Sequence, residues 1–114
     1  IDMDEQLIQK RLQLEESYDH EVQKCQRRMS VVEEKILETR RIVDRTVEDY
    51  LTVSARRNYS QSSDNKAFYH IESFKDQEIK RLEHTKLEIE DEIKELRKSY
   101  RREEERLDKE FRYE

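Results

Sequence analysis

The chain has 114 residues, of which 46% are Asp, Glu, Lys or Arg and 32% are apolar, with no Gly, no Pro and a net charge of −5. That is one domain at most and too little apolar material for a compact globular core, while the absence of the two strongest helix breakers points to long helices or coiled coil rather than disorder. Residues 1–57 carry 11 basic and 13 acidic groups and residues 58–114 carry 13 and 16, so neither half is the basic arm that nucleic acid or a membrane surface requires.

The chain starts Ile1-Asp2-Met3, and Ile1 and Asp2 are read as preceding a natural start at Met3. From Met3 to Leu14 the apolar pattern (Met3, Leu7, Leu14) is loose, which predicts a local change of winding. From Tyr18 onward it becomes regular. Tyr18, Val22, Cys25, Met29, Val32, Ile36, Thr39, Val43, Thr46 and Tyr50 follow one another in alternating steps of four and three. An average period of 3.5 keeps one stripe facing a partner helix along a left-handed supercoil. The first helix is placed at about 3–57.

Residues 58–64 (Asn58, Tyr59, Ser60, Gln61, Ser62, Ser63, Asp64) lack helix-forming character, and their side chains favour turns and helix starts. They are read as a loop, with Ser63 or Asp64 capping the second helix at about 65–113. There the stripe resumes with Ile79, Leu82, Lys86, Ile89, Ile93, Leu96, Tyr100, Glu103 and Leu107. Charged groups on a seam cost stability but restrict register and partner choice. Two helices of about 80 and 75 Å across one short loop predict a long antiparallel two-helix coiled-coil hairpin in an all-α fold. One continuous helix in a parallel dimer is the alternative.

Such a hairpin encloses no site in which a pKa could be tuned and a substrate oriented, so no enzyme, cofactor or small-molecule substrate is expected. Cys25 is the only cysteine and falls on the seam, where an inert thiol is expected; His20, His70 and His84 are scattered and have no ligand partners at zinc-site spacing. The longest apolar runs are two residues, so neither a membrane span nor a signal-peptide core is present. This places the chain in the cytoplasm, and leaderless co-secretion is also compatible.

A two-helix seam leaves apolar residues over. Val31, Leu37, Ile42, Val47 and Leu51 lie off the stripe of the first helix, and Phe68, Tyr69, Ile71 and Phe74 gather within seven residues after the loop. Exposed clusters of this kind mark interfaces. The expected partner-binding residues are Val47, Leu51, Phe68, Tyr69, Ile71 and Phe74, with a helical protein, foreign or a second copy, as partner. The alternative is that these residues thicken the hairpin's own core.

Phe74 and Glu78, and again Tyr100 and Glu104, place an aromatic and a carboxylate four residues apart on one helical face. A Gly-poor helical hairpin bearing this aromatic-x-x-x-acid element resembles the LXG-toxin-associated α-helical targeting and accessory proteins of type VII secretion in Gram-positive bacteria. Unlike the WXG-type hairpins of that system, it has neither Trp nor Gly at its turn. The resemblance implies an adaptor that packs on the helical domain of a secreted LXG toxin, with a second small helical protein alongside. It also implies that Phe74 with Glu78, or Tyr100 with Glu104, helps present an export signal. A structural coiled-coil spacer or homodimerisation segment of a larger protein is the second reading, and a chaperone-like protein that releases its client in the cytosol is a third.

Overall fold

The computed structural model describes residues 3–57 and 62–112. It holds two α-helices, α1 (Met3–Arg57) and α2 (Ser62–Arg112), and no strand among the described residues. The chain is a two-helix hairpin. Asp4 and Glu5 in the first turn of α1, Arg56 and Arg57 in its last, and Lys109 and Arg112 in the last turn of α2 set charges favourably against the helix dipoles.

α1 has the extent read from the sequence, whereas α2 begins three residues earlier than expected. Ser63 and Asp64 therefore lie inside its first turn instead of capping it. The physical reason is tertiary: the Asp64 carboxylate accepts hydrogen bonds from the Tyr50 hydroxyl and, at 2.7 Å, from the Arg57 guanidinium of α1. Positions 58–61 of the expected loop and residue 113 lie outside the described residues.

The hairpin divides into two compact units. The first combines Ile1–Met29 with Leu87–Glu114. Cys25, Ile89 and Leu107 are buried in it, and Tyr18, Val22, Ile93, Leu96 and Tyr100 are half-buried. Arg11 pairs with Asp108, Lys10 with Glu110 at 3.5 Å, and Arg28 with Glu92, while the Tyr18 and Tyr100 rings stack 4.6 Å apart. Partners fall in number along α2 as they rise along α1, so the segments run antiparallel.

The second unit is Ser30–Lys86. Val32, Ile36, Val43 and Leu82 form its buried core. Lys86 reaches Glu33 at 3.6 Å, and Tyr50 meets Phe68 edge-on at 5.1 Å, again antiparallel. Here the seam departs from the expected one at a single place. Thr46 is exposed and Val47 is half-buried in its stead. Thr46 turns its hydroxyl back to the Ile42 carbonyl at 2.8 Å, which satisfies the polar group within its own helix and leaves the inward place to the purely apolar side chain. The inward positions of α1 in this unit thus run 32, 36, 39, 43, 47, 50, 54, with two four-residue steps meeting at Val43.

Candidate functional site

Once the seam is fixed, each helix has two edges. A residue one position before a seam residue is turned about 100° to one side of it, and a residue one position after is turned as far to the other. In the second unit Ile42 and Thr46 (before Val43 and Val47) line one groove of about 230 Å³ with His70 and Phe74 (before Ile71 and Lys75). The preceding residues of both helices therefore share one side of the hairpin, called here the leading edge; the following residues form the trailing edge.

The large exposed apolar side chains of this unit sort onto these edges. Leu37, Leu51 and Tyr69, which follow seam residues Ile36, Tyr50 and Phe68, stand on the trailing edge with exposures of 50%, 52% and 70%. Asp44, Glu48, Asp76 and Glu83 are exposed along the same edge, with Arg40 as a basic neighbour. Val31, Ile42, Val53 and Phe74 stand on the leading edge, about half exposed each. The unit as a whole carries 11 acidic and 11 basic residues, whereas the first unit carries 18 and 13 and so the entire net charge of −5.

Of the six residues expected to bind a partner, Val47, Phe68 and Ile71 are half-buried toward the seam. Leu51 and Tyr69 are exposed on the trailing edge, each on its own helix, and Phe74 lies on the leading edge. Val53 belongs with the exposed set and was not singled out by sequence; the signal was its place one residue before an inward position. Among the aromatic–acid pairs, Phe74 presents an exposed ring, while Glu78 is half-buried and receives Arg81 at 3.0 Å. The Tyr100 ring is committed to Tyr18, and its hydroxyl pKa lies above the ordinary value because burial, then the carboxylates of Glu104 and Glu15, disfavour the phenolate.

In the first unit, Cys25 lies in an open groove of about 650 Å³ whose edges are charged. Its thiol donates to Glu92 at 3.7 Å, and Arg28 donates to both oxygens of the same carboxylate. Burial first, and then Glu92, raise the thiol's pKa, which favours the neutral form over the thiolate that nucleophilic chemistry needs. The Arg28 guanidinium holds the Glu92 carboxyl below its usual range. Among the described residues no group of three or more His, Cys, Asp or Glu could hold a metal ion, and no helix is long and apolar enough to cross a membrane.

No family model matches the chain, and no curated protein and no solved structure is significantly similar to it.

Proposed function

We propose that this chain is a non-catalytic adaptor that receives a helix of another protein on the trailing edge of its second unit. The observation that carries this reading is Leu37, Leu51 and Tyr69, half or more exposed on one side of a neutral unit and accompanied there by carboxylates. Large apolar side chains left open beside a complete seam are anchors in search of a surface, and aromatics supply the most contact area. The accompanying Asp44, Glu48, Asp76 and Glu83 select the chemistry of the partner: an amphipathic helix with an apolar stripe bordered by Lys or Arg.

The resemblance to the type VII accessory proteins supplies the finer reading. The partner is then the helical targeting domain of an LXG-type toxin, joined by a second small helical protein, and the chain acts in the cytoplasm before or during leaderless export. Phe74 with Glu78 and Tyr100 with Glu104 are the signal candidates.

The test is co-purification of the full chain with the helical domain of an LXG-type toxin encoded beside it, followed by titration. Leu51→Ser with Tyr69→Ser should lower affinity by about 30-fold or more, the loss typical of two truncated anchors, with helical circular dichroism unchanged. Affinity should also fall as salt is raised. Unchanged binding by this variant would discard the trailing edge as the site, and absence of any complex would discard the secretion reading.

A further inference from the structure

The leading edge of α1 has an internal symmetry. Its residues are Val31, Lys35, Glu38, Ile42, Thr46, Asp49 and Val53, in steps of four, three, four, four, three, four. The spacing reads the same in both directions about Ile42, because the two four-residue steps that displace Thr46 from the seam meet there. Val31 mirrors Val53, and Lys35 mirrors Asp49.

We propose that the leading edge of the second unit is the interface for a second copy of this chain, with α1 packed antiparallel on its counterpart across a two-fold axis at Ile42. An isologous contact requires a patch to be complementary to itself when reversed. Reversal here sets Ile42 on Ile42 of the other copy, Val31 on Val53, and Lys35 opposite Asp49 twice over. Glu38 meets Thr46, so no like charges face each other. Val31, Ile42 and Val53 are 49%, 54% and 57% exposed, which leaves contact area to be covered. On α2 the same operation centres on Phe74, whose exposed ring shares the groove of Ile42. The leading-edge residues seven away on either side, Ala67 and Arg81, then face one another without a clash of like charge, while His70 and Gln77, four before and three after, are not mirror-related, so the symmetry resides in α1.

The opposite edge differs at the axis itself. It has the same spacing and its reversal pairs Leu37 with Leu51 and Arg40 with Glu48, but it sets Asp44 on Asp44 at the axis, so that edge suits a foreign partner and the leading edge a copy. The extent is sufficient. Residues 31–53 rise about 33 Å, and two helices are about 20 Å wide, so each copy covers roughly 650 Å² and the pair about 1,300 Å², within the range of stable interfaces.

The experiment is sedimentation and light scattering of the full chain over a wide concentration range, with circular dichroism alongside. The expected species is a dimer. Ile42→Glu should raise the dissociation constant by about 100-fold or more without loss of helix. Lys35→Glu and Asp49→Lys should each weaken the dimer by about tenfold, since each creates two like-charge contacts, and the doubly exchanged variant should return to within about threefold of the original. Leu51→Ser, on the other edge, should leave the dimer unaffected, so that this inference and the adaptor reading fail separately. A monomer at every concentration, a dimer indifferent to Ile42→Glu, or a double charge exchange no better than the single changes would each overturn the proposal.

Discussion

Ile89 is the most deeply buried large side chain, 1% exposed on α2, while Leu87 two residues away is 58% exposed. The two provide a direct measure of what the seam contributes. Ile89→Ala removes three carbons from a fully covered site. At about 0.8 kcal/mol per methylene the transfer loss is ~2.4 kcal/mol, and the unfilled space left between the helices adds to it, since large-to-small core changes cost about 2–5 kcal/mol. A hairpin two helices thick collapses onto such a space more readily than a multilayered core. The expected cost is therefore about 3 kcal/mol, toward the lower end of that range.

Leu87→Ala removes as many carbons from a site that is already mostly hydrated, and it substitutes the best helix former. Its expected cost is below about 0.5 kcal/mol. In thermal unfolding followed by circular dichroism at 222 nm, Ile89→Ala should lower the midpoint by about 12–24 °C at the 4–8 °C per kcal/mol of a domain near this size. Leu87→Ala should leave it within about 4 °C. Comparable shifts for the two variants would refute the assignment of the seam, because no antiparallel two-helix register that buries Ile89 can bury Leu87 as well.

Asp64→Ala, which strips the acceptor shared by Tyr50 and Arg57 at the start of α2, should destabilise the hairpin by roughly 2–3 kcal/mol; Tyr50→Phe should add nothing once Asp64 is gone, a non-additivity that a urea-melt double-mutant cycle reads directly. Lys86→Leu exchanges a half-buried seam lysine, paired with Glu33, for an apolar group and should raise the unfolding midpoint while making register less unique, seen as broadened amide resonances. Stability should also depend on pH at both ends. Glu92 titrates lower in the folded chain than its ordinary 4.5, so its contribution is present above that value and is lost as pH falls through the depressed folded value. Cys25, Tyr50 and Tyr100 are raised above their ordinary 9.0, 10.0 and 10.0, so their contributions are full below those values and are lost as pH rises through the higher folded ones. Glu92→Gln should flatten the acid limb and, because Glu92 also raises the Cys25 thiol, lessen the Cys25 part of the alkaline one; an unchanged acid limb would remove Glu92 from the account.

The hairpin was legible because its signal is redundant. Val32, Ile36, Val43, Ile89 and Leu107 repeat over many heptads with no Gly or Pro to interrupt them, and any one could change without obscuring the period. The places that misled were those where two physical demands coincide on neighbouring residues. Thr46 and Val47 are both β-branched and both acceptable at a seam; only the option of returning the hydroxyl to the Ile42 carbonyl, a three-dimensional fact, decides which turns inward. Asp64 has the composition of a cap, and nothing in its neighbourhood along the chain announces that Tyr50 and Arg57, 14 and 7 residues earlier, will claim its carboxylate.

The surplus apolar residues show the same limit from the other direction. In sequence Leu37, Ile42, Leu51, Tyr69 and Phe74 are one undivided excess, because residues on both flanks of a stripe are equally off it and only the packed partner helix shows which of them share a side. In the packed hairpin the excess separates into two edges that share one spacing and differ at its centre, one placing Ile42 against itself when reversed and the other Asp44. The irregular step at Val43 is therefore more than a local adjustment of packing. A strict alternation of four and three would move Val53 out of register with Val31 and remove the mirror spacing about Ile42, so the same displacement that costs Thr46 its place in the core generates the symmetry of the face beside it.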